Sequence, residues 1–291
     1  MHNGILQAIN GVSFAALLFL LASGFTLSFG LMRVVNMAHG AYYLFGGYIG
    51  LTITRYTGSF ALGVLGGGLS IIPIGYLIDR FLIRRTGESH LAQVLLTVGI
   101  AFVLGDVALK IWGGDNLKVP TPIELRGAME LPGGLIYPTY RFVLILFGIV
   151  VGLSLWLLYR KTQIGAVVRA GVDDRATAET LGIDIGKVFA LVFGIGTYLA
   201  GVAGVVAAPV FGVYPGMDAS IIILVLIVVV VGGLGSLRGV IVGSLLIGFA
   251  DTFGKILLPQ FAMMMIYLVM ALVLIFRPSG LLPARRFSAP G

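Results

Sequence analysis

The chain has 291 residues, 58% of them hydrophobic and only 11% charged, with a mean hydropathy of +1.06; one water-soluble core cannot hide that much apolar surface, so an ordinary soluble domain is excluded and lipid is the solvent. The net charge is +7, but the basic residues gather at Arg80, Arg84 and Arg85, at Arg160, Lys161, Arg169, Arg175 and Lys187, and at Arg277, Arg285 and Arg286. Clusters in the connections are the positive-inside bias of cytoplasmic loops, not a nucleic-acid footprint.

With no cysteine, disulfides and thiolate metal sites are unavailable. A closed barrel needs short segments of alternating polarity, and IIILVLIVVVV from Ile221 to Val231 alternates nothing. Lipid offers the backbone no partners, so such runs must be helical. The sequence predicts an all-α polytopic membrane protein, a single transmembrane domain over residues 1–291, with about eight or nine spans of roughly 20 apolar residues each.

The first run, Ile5 to Phe29, lacks a basic leader and exceeds the apolar core of a signal sequence, so a retained first helix is expected. Further spans are expected at Gly40 to Ile53, Phe60 to Ile83, Leu91 to Trp112, Phe142 to Tyr159, Val188 to Phe211, Ala219 to Val231, Val240 to Leu258 and Phe261 to Phe276. With the basic connections cytoplasmic, the N-terminus is external, residues 113–141 form an external loop and residues 160–187 a cytoplasmic one. The short second and seventh spans read as interrupted or re-entrant segments.

Between the first two spans, GLMRVVNMAHG spaces Arg33, Asn36 and His39 so that a continuous helix would carry them on one face. Intramembrane ionisable groups turn toward an interior or a wet cavity; the equal alternative is a cytoplasmic turn. A helix starting at Gly40 would aim free N–H groups and a positive dipole end back toward His39, a setting suited to a substrate carboxylate. Two acid–base pairs follow at i, i+4, Asp106 with Lys110 and Asp251 with Lys255, read as ion pairs easing charge burial near the external ends of their spans.

In the cytoplasmic loop, DDRATAETLG from Asp173 to Gly182 has acids first, alanines within and glycine after Leu181, the order of a short capped helix, with Asp184 placed to cap the next span. Further on, VGGLGSLRGVIVG from Val231 to Gly243 interrupts two apolar runs, which makes Gly232, Gly233, Gly235 and Ser236 candidates for the translocation pathway beside Arg33, Asn36, His39 and Gly40.

No GxxxxGK[ST], HExxH or GxSxG occurs, so neither nucleotide binding by a P-loop nor the corresponding hydrolases are expected. Ser23 or Ser244 with a histidine is a conceivable intramembrane hydrolase, yet apolar spans carry packing serines anyway. A transport protein is the expectation. An ATP-independent carrier or channel using His39, Asp106 and Asp251 as proton-linked groups is the alternative of another class.

The stretches LQAINGVSFAALLFLLASGFTLSFGLMRVVNMAHGAYYLFGGY, GAVVRAGVDDRATAETLGI, VVGGLGSLRGVIVGSLLIG and RPSGLL resemble the membrane subunit of branched-chain amino acid ABC importers, the LivH/LivM-type permeases. That resemblance implies a bacterial inner-membrane permease, not itself an enzyme, that moves branched-chain amino acids or, as in related permeases, urea and short amides. It implies a second homologous permease subunit, most simply as a heterodimer, two cytoplasmic ATPase subunits that hold ATP and magnesium, and an external substrate-binding protein; this chain itself would bind no cofactor and no metal. It assigns the ATPase contact to Arg169, Asp173, Asp174, Ala178, Leu181 and Gly182. Asp106 departs from the uncharged polar residue the resemblance leads one to expect.

Overall fold

The computed structural model describes residues 2–32, 35–87, 89–131, 134–173 and 175–283. Arg33 and Asp174, two of the expected site residues, lie outside them. Each expected span is a helix: α1 (His2–Met32), α2 (His39–Thr57), α3 (Phe60–Phe81), α4 (His90–Trp112), α5 (Thr139–Lys161), α8 (Ile185–Phe211), α9 (Met217–Gly232), α10 (Leu237–Leu257) and α11 (Ala262–Phe276). Among the described residues, six helical stretches, which include α1, α3, α4, α5, α8 and α10, are long and apolar enough to cross a membrane, and α9 and α11 are shorter apolar helices. Local chemistry sets many of the starts. The side chains of Ser59, Ser89, Asp184 and Ser236 accept the backbone N–H three residues on and so cap α3, α4, α8 and α10.

Two further helices, α6 (Gln163–Asp173) and α7 (Arg175–Thr180), form the cytoplasmic connection. The expected helix over Asp173–Gly182 is thus a pair: α7 is shorter than foreseen, and α6 before it was not foreseen at all. The external loop holds a small antiparallel hairpin, β1 (Ala128–Leu131) and β2 (Leu135–Pro138), paired Ala128 to Pro138 through Leu131 to Leu135, so the fold is all-α apart from this ornament.

The helices α2, α3 and α8 pack backbone to backbone. A Cβ on Gly46 would overlap Gly201 of α8, and one on Gly201 would lie 2.8 Å from the carbonyl oxygen of Gly67 in α3. Small residues are what allow such approach where lipid gives helices no hydrophobic reason to associate. By contrast α4 and α5 bury the smallest share of their surface.

The seams between helices set the depth of the site. His39, the first residue of α2, places Nε2 3.1 Å from the carbonyl oxygen of Leu21, which is roughly 16 Å inward from Met32 at about 1.5 Å per residue. The chain between α1 and α2 therefore turns back into the membrane, and α2 starts near its middle. From the other side, Gly212 ends α8 with φ 77, Val213 pairs with Leu117 and packs beside Gly47, and Asp218 in the first turn of α9 lies against Gly40. The second and seventh spans are interrupted, each entered through non-helical residues (35–38 and 212–216) before its helix begins, as their short apolar runs suggested, and their N-termini meet.

Candidate functional site

Asn36 is not helical, so Asn36 and His39 do not share one continuous helical face, and Arg33 lies outside the described residues. A turn brings Asn36 to His39 instead: Asn36 is buried, its Oδ1 accepts the Ala38 N–H at 3.0 Å and its carbonyl accepts the His39 N–H at 3.2 Å. The Met37 N–H donates to Thr97 Oγ1 of α4 at 3.1 Å. The Met37, Ala38 and His39 N–H groups are thus occupied, and the Asp218 carbonyl lies against Gly40. His39 is itself buried, edge-on to Phe25 at 5.7 Å.

Above this plug lies a cavity of about 700 Å³. Its rim is polar, with Gln7 and Asn10 of α1, Arg141 of α5, and Asp251 and Lys255 of α10. Lys255 Nζ meets Asp251 Oδ2 at 2.6 Å and lies 5.7 Å over the Phe14 ring, while Arg141 Nη1 donates to Asn10 Oδ1 at 2.7 Å. The deeper wall is aliphatic: Leu17 and Leu21 of α1, Ile221 and Leu224 of α9, and Ile266 of α11. The cavity thus runs from the α1 end that holds Gln7 and Asn10 down to Leu21, whose carbonyl holds His39.

The second expected ion pair does not form. Asp106 and Lys110 are both exposed on α4, and among the described residues no ion pair joins them. Spacing i, i+4 makes such a pair available without fixing the rotamers that close it; in the pair that does form, Asp251 is largely enclosed, its side chain 13% exposed, while Lys255 is 62% exposed. His39, Asp106 and Asp251 also stand in three different settings, one under the plug, one on the outer face of α4 and one on the cavity rim, so the structure assembles no proton relay from them.

The glycine-rich break is a hairpin between α9 and α10, not an interruption within one span. Gly233 and Gly235 have φ 111 and φ 74, Ser236 Oγ accepts the Gly239 N–H at 3.0 Å, and Gly232 and Gly239 touch backbone to backbone. The segment after α11 closes over it, with the Leu281 and Leu282 N–H groups donating to Val231 and Gly232 carbonyls at 2.9 Å. The four residues form a turn and a close backbone contact, and none of them lines the cavity. Ser23, in turn, donates to the Leu20 carbonyl at 2.9 Å, and Ser244 is buried; neither is bonded to a histidine.

On the cytoplasmic side, α7 ends as the sequence predicted. Gly182 takes φ 81; its N–H donates to the Glu179 carbonyl at 3.0 Å and the Ile183 N–H donates to the Ala178 carbonyl at 3.1 Å, the two bonds of a Schellman ending. Ala178 is buried and Leu181 is 74% exposed. Arg169 of α6 donates to the Tyr159 carbonyl and stacks 5.3 Å over its ring, tying α6 to the end of α5. Asp184 accepts the Lys187 N–H and pairs with its ammonium at 3.1 Å, which holds its carboxyl below the usual range. Asp173 closes α6.

One residue pair escaped the sequence reading. Asp79 of α3 is fully buried, and Arg84 donates to it through Nε at 2.9 Å and to the Gly186 carbonyl at the start of α8 through Nη2 at 3.1 Å. The signal was a lone acid inside IIPIGYLID, five residues before an arginine. Thr97 and Gln93, the buried polar residues of α4, were also passed over.

Two helix starts that meet beneath a cavity, in a multi-pass helical membrane protein, are the architecture of a membrane transport domain. The chain belongs to the family described as branched-chain amino acid transport system / permease component, whose model matches residues 7–274. It is 28% identical to the high-affinity branched-chain amino acid transport system permease protein BraD of Pseudomonas aeruginosa, over 97% of this chain and 96% of that one. It is also 28% identical to LivH of Escherichia coli, over 95% and 94%, and 27% identical to LivM of the same organism, over 92% and 68%. In fold it is similar to a chain of PsaBC from Streptococcus pneumoniae in complex with Fab, with a TM-score of 0.50 and 17% identity, covering 92% of this chain and 89% of that one.

Proposed function

We propose that the chain is the pathway-forming permease subunit of an ATP-driven importer for branched-chain amino acids. The observation that carries the reading is the cavity that descends from the external helix ends to the junction of α2 and α9, closed below by His39, Gly40 and the Asp218 carbonyl. A dead-ended external cavity is one half of an alternating pathway. Power comes from elsewhere, because the chain carries no P-loop. The α6–α7 pair, with Leu181 exposed at its tip, is the contact for one of two ATPase subunits that bind ATP and magnesium, and a second, homologous permease subunit and an external substrate-binding protein complete the assembly. No catalytic step is assigned to this chain.

The test is reconstitution in proteoliposomes with the permease and ATPase partners and the binding protein. Leucine uptake that requires external binding protein and ATP on the ATPase side is the expected result. Uptake by this chain without any ATPase would replace the reading with a self-sufficient carrier, and transport of urea but not leucine would move the substrate to the amide class.

A further inference from the structure

We infer that the external cavity is itself a binding site for a free aliphatic amino acid, held as a zwitterion with its side chain directed down. This rests on the permease reading above and goes beyond it, since importers of this kind need no site of their own if the binding protein delivers into an open channel. The argument is the separation of chemistry within one cavity. Both signs of charge stand at the rim, in Asp251 on one hand and in Lys255 and Arg141 on the other, while Leu17, Leu21, Ile221, Leu224 and Ile266 form the depth.

Asp251 and Lys255 are already paired at 2.6 Å, and Lys255 also faces the Phe14 ring. A zwitterion is the ligand that such a pair accepts without leaving either charge alone, its ammonium going to Asp251 and its carboxylate to Lys255 and the guanidinium of Arg141. An ammonium offers three donors and a guanidinium five, so both retain reach toward a carboxylate beyond the contacts they make to Asp251 and Asn10. Asp251 is the enclosed member of the pair, its side chain 13% exposed against 62% for Lys255, so a ligand that drew Lys255 away without bringing a cation would leave the Asp251 carboxylate unpaired where water reaches it least, which is costly. An aliphatic side chain then covers the leucine and isoleucine wall and gains about 25 cal/mol per Å² of apolar surface removed from water. Urea, uncharged and without an apolar part, gains from neither feature.

The probe is radiolabelled leucine bound to the purified permease assembly in detergent, without binding protein and without ATP. Saturable binding is expected, displaced by isoleucine and valine but not by urea or by decanoate. Asp251→Asn and Lys255→Met should each weaken it about tenfold, which corresponds to about 1.4 kcal/mol. Leu224→Trp, which fills the floor and leaves the rim intact, should abolish leucine binding while glycine binding persists, so a selective loss guards against a merely misfolded variant. Leucine binding that is unaltered in all three variants, displacement by decanoate, or no saturable binding at all would overturn the site. ATP-driven leucine uptake by the same preparations separates that failure from failure of the permease reading, because uptake would continue in a permease without this site.

Discussion

The carbonyl oxygen of Asp218, in the first turn of α9, rests against Gly40, in the first turn of α2, with no room for a methyl group between them. Two helices entering the membrane from opposite sides thus meet end to end, and the contact depends on the absence of one side chain. Gly40→Val is expected to cost about 1–3 kcal/mol by overpacking, and to lower uptake as well as the thermal midpoint of the purified assembly. Gly99→Ala, whose Cβ meets nothing within 4 Å, is the control and should change neither. A Gly40→Val protein as stable as its parent would mean that the junction yields easily.

His39 sits directly under the cavity floor, bonded to Leu21. Replacing it by leucine removes one buried hydrogen bond, worth about 0.5–1.5 kcal/mol, too little to unfold the domain. His39→Leu should therefore assemble normally, seen as unchanged co-purification with the partner permease, and yet transport poorly. Wild-type uptake by the assembled variant would reduce His39 to a packing residue.

Sidedness follows from the basic clusters and is open to direct measurement. Asn116 in the external loop and Thr177 in α7 are both exposed, and the chain has no cysteine of its own. A single cysteine at position 116 should react with an impermeant maleimide from outside and one at position 177 only after the membrane is opened. Labelling of both from one face would invalidate the topology.

The ending of α7 depends on Gly182. Valine there must hold a left-handed conformation at about 1–2 kcal/mol, and proline at Ala178 breaks a helix of this length at about 3 kcal/mol or more. Both variants should insert into the membrane and pair with the partner permease while retaining less ATPase in pull-downs and losing uptake. Full ATPase retention together with normal uptake would remove α7 from the coupling role.

How far the sequence alone reached varies with the kind of feature. The spans were legible because continuous apolar runs admit only helices in lipid, and the cap at Asp184 because a capping side chain acts within three residues. The depth of α2 and α9 was only hinted at, since nothing in NMAHG says how far the chain climbs before His39 starts the helix. The cavity was invisible because α1, α5, α9, α10 and α11 all contribute to it. Equal spacing misled for Asp106 and Lys110, since separation brings two side chains within reach without fixing the rotamers that join them, and Asp79 was hidden among arginines that read as a solvated loop although its carboxylate is buried against Arg84.

The backbone seams among Gly46, Gly67 and Gly201 carry a consequence for motion. Where helices touch through main chain alone, no side chain is available to change rotamer and absorb a shift, so α2, α3 and α8 must travel as one rigid body. The same main-chain contact joins α1 to α8 at Gly24 and Gly196 and α1 to α10 at Gly11 and Gly248, so among the described residues the freedom to shift falls to α4 and α11, which no such seam holds. A disulfide stapling α2 to α8 should leave transport unharmed, whereas one stapling α10 to α11 should arrest it.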